Sequence, residues 1–257
     1  MAFSTTEITS AQITSDNPVH QRLFFAYAEA SKHIGGNLLE IGCGVGRGLV
    51  VLSENCASYT AIDKNKDLLD TLQAQYPSLH FIHQHIPPLQ GLADNTFDYV
   101  VSFQVIEHIE DDNLFVKEIH RVLKPGGKVI ITTPNIKLSL TRNPWHAREY
   151  TADGLSTLLR KYFKKVETQG VHGNAKVMDY YEQNRKSVKR ITRFDIFNLQ
   201  YRLPRTWLQV PYDFLNRLNR KSLQDSNTGL VSDISYEDYF LSADAENCLD
   251  FFYTATK

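Results

Sequence analysis

Apolar residues along this chain first recur at helical spacing and then switch to short blocks. From Asp16 onward, Leu23, Ala26, Tyr27 and Ala30 fall three or four positions apart or side by side on one face. Asp16 or Asn17 as N-cap, with Pro18 in the first turn, supplies the start, and Gly35-Gly36 the stop. The runs Leu38 to Ile41, Tyr59 to Ile62, His80 to Ile82, Tyr99 to Ser102 and Val129 to Thr132 are largely β-branched or apolar. Each is bounded by Gly, Pro, Asp or Asn, which predicts strands. Helical periodicity returns between them, over Lys66 to Gln75 and Asp111 to Leu123. The second stretch sets Phe115, Ile119 and Val122 on one face before Lys124-Pro125-Gly126-Gly127.

Such alternation predicts a parallel sheet covered on both faces, because parallel strands need helical crossovers, with ligands outside the carboxyl ends of the strands. Beyond Pro134 come a loop containing Asn143 to Tyr150, a helix capped by Thr151 with Leu155, Leu158 and Leu159 inside, and a strand over Lys165 to Val171. Residues 172–235 are too long for a simple connection and too patterned for a linker, so they read as a mainly helical insertion. Leu249 to Thr256 is strand-like and returns to the sheet. The chain therefore divides, within one domain over 1–257, into a tail and helix (1–34), a core (35–171), the insertion (172–235) and the return (236–257). Its polar first 15 residues are expected to be loosely ordered.

Composition narrows the class. With 42% hydrophobic and 22% charged residues, the 257-residue chain matches ordinary globular proteins, which excludes disorder or fibre for the whole. No run approaches the roughly 18 apolar residues of a membrane-spanning helix, and the first residues lack the regions of a secretory signal. A cytoplasmic protein is expected. Three scattered cysteines, Cys43, Cys56 and Cys248, make neither a disulfide framework nor a zinc pattern, so no metal is expected. The net charge of −1 hides a segregation: residues 160–221 hold 15 Lys or Arg against 5 Asp or Glu, leaving 13 against 24 elsewhere. An anionic partner or surface is implied for that region.

The chemistry starts at Glu40-Ile41-Gly42-Cys43-Gly44-Val45-Gly46, directly after the first predicted strand. Alternating glycines let the backbone turn tightly and approach a ligand closely. The dinucleotide pattern G-x-G-x-x-G fails in both registers, since it would need glycine at Arg47 or Leu49. Asp63 ends the second strand, 21 residues after Gly42, where an acidic side chain accepts ribose hydroxyls.

The arrangement E-x-G-x-G-x-G resembles motif I of class I S-adenosylmethionine-dependent methyltransferases, in the type 11, UbiE-like small-molecule branch. Asp94-Asn95-Thr96-Phe97-Asp98 resembles that family's fourth-strand signature, and Arg121 to Gly127 its turn before the fifth. The resemblance implies a Rossmann-like three-layer sandwich with a mostly parallel seven-stranded sheet, an antiparallel C-terminal strand and a helical insertion before it. It also implies S-adenosyl-L-methionine as cofactor, released as S-adenosyl-L-homocysteine. The residues it assigns to the cofactor are Glu40, Gly42, Gly44, Gly46, Asp63, Lys64, His85, Ile86 and Gln104; His85 departs from the acidic or amide residue common there.

For a hydroxyl acceptor a general base helps, and histidine suits neutral pH. His146 and His108 are the candidate catalytic residues, and Arg148, Glu149, Tyr150, Tyr180 and Tyr181 the candidate acceptor contacts. A small or lipid-linked acceptor such as a sugar, glycan precursor or quinone-like molecule is expected. The basic, aromatic segment 176–221 suits peripheral contact with an anionic membrane. RNA methylation through the same segment, with no RNA-binding module in view, and a catalytically silent cofactor-binding scaffold are the rival readings. The oligomeric state is left open.

Overall fold

The computed structural model describes residues 13–257 except Ile196. Residues 1–12, most of the polar start, lie outside the described residues. The strands are β1 Asn37–Ile41, β2 Ser58–Asp63, β3 His80–His83, β4 Phe97–Phe103, β5 Leu123–Pro134, β6 Lys165–Gly173, β7 Tyr239–Ser242 and β8 Asp250–Thr256. They form one eight-stranded sheet in the order β3-β2-β1-β4-β5-β8-β6-β7. β3 to β5 across that order pair in parallel, whereas β8 is antiparallel to both β5 and β6, and β7 is antiparallel to β6. The strand order reverses between β1 and β4, so their carboxyl ends open a crevice.

Seven strands are expected, and the described residues form eight. The extra one, β7, is a four-residue edge strand in which only Tyr239 is buried, too short to show any alternation in sequence.

The continuous apolar runs have a direct cause. Leu38, Val101 and Ile130 belong to the core on one face of the sheet, while Leu39, Val100 and Ile131 belong to the core on the other. Both faces are covered, so neighbouring positions on a strand are all buried. Helices α1 Asn17–Ser31, α2 Leu49–Ser53 and α3 Lys66–Gln75 contribute to the first core. Helices α4 Asp112–Val122 and α5 Ala152–Leu159 supply the second. The buried positions of α4 include Phe115, Ile119 and Val122, as its periodicity predicts.

The insertion consists of α6 Ala175–Thr192, α7 Leu199–Arg202, α8 Arg205–Ser226 and α9 Thr228–Asp233. It is tied to the N-terminal helix by charge. Asp16, fully buried, accepts from Arg217 Nη1 at 2.9 Å and Arg220 Nη1 at 2.8 Å. Asp16 does precede α1, but its side chain makes no capping bond. The two guanidinium groups from α8 hold that carboxylate, and two insertion cations are thereby consumed within the chain.

Candidate active site

The glycine loop after β1 has φ of +82° at Gly42, +52° at Gly44 and +74° at Gly46, the left-handed region that glycine enters without steric cost. A Cβ on Gly42 would overlap the Val105 side chain, and one on Gly46 would overlap Leu72. Asp63 closes the loop from the end of β2: its Oδ2 accepts the Gly44 amide at 2.8 Å and its Oδ1 the Asn65 amide at 2.9 Å. A carboxylate oxygen has more than one lone pair, so acceptor capacity remains toward a ligand.

A cavity of about 420 Å³ opens here. Of the residues assigned to the cofactor, Gly42, Gly44, Asp63, Lys64, His85, Ile86 and Gln104 line it. Glu40 and Gly46 do not. Glu40 stands behind the loop, buried, where the hydroxyls of Tyr27 (3.0 Å to Oε1) and Tyr59 donate to its two oxygens. Burial pushes its carboxyl up to about 7, against the lowering effect of the two tyrosine bonds. It thus ties β1 to α1 and to β2 through these two hydroxyls. Arg47 and Leu23 line the cavity without having been assigned to it. Arg47 pairs with His20 on α1, and burial followed by the nearby guanidinium lowers the His20 imidazole to about 4. No local signal in the sequence connects α1 to the glycine loop.

Gln104 follows β4 with φ +56°, and its amide donates to the Thr132 carbonyl at 2.9 Å. Together with Leu23 and His108 it also lines a second cavity of about 280 Å³. Into that cavity face His146, Glu149, Tyr180 and Tyr181, four of the residues assigned to catalysis or the acceptor. His146 Nδ1 lies 2.8 Å from Glu149 Oε1, and its Nε2 lies 2.7 Å from Asn143 Nδ2. Asn143 Oδ1 already accepts the Trp145 amide at 3.0 Å, so its NH2 faces the ring as donor. This assigns the proton to Nδ1 and the lone pair to Nε2. The His108 ring stands perpendicular to that of His146 with centroids 5.0 Å apart, and its Nδ1 is 2.9 Å from the Trp145 carbonyl.

Arg148 and Tyr150 are not in the cavity. Arg148 donates to Asp112 (2.7 Å) and to the Glu110 carbonyl (2.7 Å), and the buried Tyr150 hydroxyl donates to the same Asp112 at 2.8 Å. Both fasten the loop to the start of α4. The residues passed over in sequence are Glu107, Asn143, Arg22 and Tyr212, all of which line the second cavity. Glu107 is buried, accepts from Thr133 Oγ1 at 3.1 Å, and is raised to about 7 by burial. Glu107, His108 and His146 also offer donor atoms within 4.8 Å of one another, the one group of metal-ligand spacing among the described residues.

The chain has the fold of a class I S-adenosylmethionine-dependent methyltransferase: a parallel sheet with an antiparallel strand at β8, a glycine loop after β1 and an acidic residue ending β2. Its residues 39–131 match the family described as "Methyltransferase domain". A relative from Mycolicibacterium smegmatis, described as "Probable S-adenosylmethionine-dependent methyltransferase", is 38% identical over 60% of this chain and 60% of its own length. A ubiquinone biosynthesis O-methyltransferase from Psychrobacter arcticus is 28% identical over 70% of this chain and 68% of its own. Among solved structures, an S-adenosylmethionine-dependent methyltransferase from Thermotoga maritima superposes with a TM-score of 0.56 at 16% identity, covering 93% of this chain and 91% of the other. The last likeness is one of fold. The chain spans between about half and 60% of the length of the first curated relatives it matches.

The residues present fit the cofactor of that family. The glycine loop would give backbone approach to its amino-acid end, Asp63 would hold the ribose hydroxyls, and Ile86 with Val105 and Ile109 offers apolar cover.

Proposed function

We propose that the protein transfers a methyl group from S-adenosylmethionine to a hydroxyl oxygen of a small or lipid-linked acceptor held in the second cavity. The observation that carries this reading is the hydrogen-bonded chain Glu149–His146–Asn143 at the wall of a cavity that shares Gln104 and His108 with the cofactor cavity. When bound, the cofactor supplies an electrophilic methyl group. The chain's own task is to align the acceptor oxygen, exclude water and take up the hydroxyl proton.

His146 would take the proton. Its Nε2 carries the lone pair, and an acceptor hydroxyl that displaces the Asn143 amide would donate to it, while Glu149 holds Nδ1–H and stabilises the imidazolium that forms. With both ring nitrogens engaged in this way, acid–base work suits His146 better than metal ligation. The test is S-adenosylhomocysteine production with hydroxylated acceptors from a cell extract, with mass spectrometry of components that gain a methyl group. Methylation confined to nitrogen, or no turnover with any acceptor, would contradict the reading.

The insertion supports a place at a lipid surface. Among the described residues, 14 large hydrophobics are exposed and nine of them fall between Phe194 and Leu218, Phe194 at 74% and Trp207 at 71%. They sit among the cations of the same segment, a pairing that suits an anionic bilayer. No helix among the described residues is long and apolar enough to cross a membrane, so contact of this kind would be peripheral. Co-sedimentation with phosphatidylserine vesicles, weakened by salt and by Trp207→Ser, tests it; equal recovery with neutral vesicles at all salt concentrations would argue against it.

A further inference from the structure

We infer that the methyl acceptor is an amphiphile whose apolar tail lies in a separate cleft inside the helical insertion. This deepens the methyl-transfer reading and rests on it for the polar end of the molecule only.

The cleft has a volume of about 510 Å³ and lies between the end of α6, residues 194–195 and 197–203, and the first half of α8. Ile191, Phe194, Phe197, Leu203, Trp207 and Leu208 give it a largely apolar wall. The adjoining acceptor cavity is of opposite character, with Arg22, Glu107, His146, Glu149 and Arg220 around it. The two have a common wall of Thr141, Val188, Tyr212, Asn216 and Asn219. Away from the junction the cleft's polar residues are Arg142, Thr192, Asp195 and Gln200, and they bond one another or nearby backbone: Arg142 donates to the Gln200 carbonyl at 3.0 Å, Thr192 to the Val188 carbonyl at 3.0 Å, and Asp195 accepts the Leu199 and Gln200 amides at 2.7 and 3.1 Å, so hydrocarbon suits the remaining wall. An aliphatic or isoprenoid chain attached to a hydroxylated head group matches this division. A uniformly polar sugar would leave the apolar wall uncovered, and a nucleic acid would meet a single cation, Arg142, offset by Asp195.

The outer end bears on how the occupant arrives. Phe194, Phe197 and Trp207 line the cleft and are also among the most exposed hydrophobic residues of the described chain, so one set of side chains is both wall and rim. A tail entering there moves from one apolar environment to another without crossing water.

Straight-chain alkanols from butanol to dodecanol, titrated calorimetrically into the full chain, test the inference without requiring turnover or cofactor. Affinity is expected to tighten by about fourfold per added methylene until the cleft is filled, the increment corresponding to about 0.8 kcal/mol for each buried methylene. Leu208→Glu should abolish that chain-length dependence while S-adenosylhomocysteine affinity stays at the wild-type value. Where Leu208→Glu also loses S-adenosylhomocysteine binding through misfolding, Ile191→Trp, which fills the cleft without adding charge, gives the same readout. A flat alkanol series, or a series unaffected by the folded variant, overturns the proposal. So does a dimer in sedimentation velocity that either substitution dissociates, because a second copy would then cover the cleft. Failure of the alkanol series with intact S-adenosylhomocysteine binding counts against the tail site alone; failure of cofactor binding counts against the methyl-transfer reading.

Discussion

His146 and Glu149, one helical turn apart in sequence but lying in a loop, meet through Nδ1 and Oε1 at 2.8 Å with side chains only 11% and 12% exposed. An imidazole so held keeps its other nitrogen on the Asn143 amide, 2.7 Å away, at the wall of the second cavity. His146→Ala is expected to lower turnover by about 10²-fold or more while cofactor affinity is unchanged. Glu149→Gln should cost less, and the double variant should lose little beyond His146→Ala alone, since residues acting as a unit are not additive. Steady-state kinetics with parallel cofactor titrations check this; independent, additive losses would separate the two residues.

Asp16 anchors the insertion from a fully buried position between Arg217 and Arg220. Asp16→Ala leaves two guanidinium groups without their carboxylate, and the expected loss is about 3 kcal/mol of unfolding free energy. Asp16→Asn, which keeps the shape but not the charge, should recover only part of it. Denaturant unfolding measures both. A loss within experimental error would mean that the arginines find other partners at no cost.

Glu40 and Glu107 are both raised by burial to about 7. The folded state then binds more protons than the unfolded chain between the ordinary glutamate range and 7, so stability should fall as pH rises through that window. Above it both states are ionised and the slope from these groups ends. Glu40→Gln should remove roughly half of the slope contributed by the pair, because one of the two raised carboxyls is gone. Urea unfolding at several pH values between 4.5 and 7.5 reads it directly; an unchanged slope in the variant would show that Glu40 is ionised behind its tyrosines.

Much of the architecture was legible because its causes are local. Strands buried on both faces must be largely apolar, and crossover helices must be amphipathic, so β1, β2, β4, β5 and α4 could be placed from residue type alone, and the edge strand β3 from its short run between turn residues. The glycine loop and Asp63 were legible for a similar reason: positive φ at Gly42 and Gly44 calls for glycine, and a carboxylate ending β2 lies at a set distance along a βαβ unit.

What local reasoning misplaced was decided by contacts remote in sequence. Asp16 has the position of an N-cap, yet Arg217 and Arg220, 201 and 204 residues away, hold its side chain. Glu40 adjoins the glycine motif, but it lies on a strand and turns toward Tyr27 and Tyr59 instead of the cavity. Arg148 and Tyr150 flank a predicted acceptor loop and are spent on Asp112. Arg22 and Tyr212 reach the second cavity from α1 and α8, elements remote in sequence from the loops after β4 and β5. The basic balance of residues 160–221 likewise overstated the cationic surface, since Arg205 is directed to Glu110 and the His146 carbonyl.

The most direct measurement is a calorimetric titration of the full chain with S-adenosylhomocysteine, repeated on Asp63→Ala. The account predicts one site per chain, weakened in the variant by about 1–3 kcal/mol through the loss of acceptors for buried donors. No heat with the wild-type protein, or equal affinity in the variant, would contradict it.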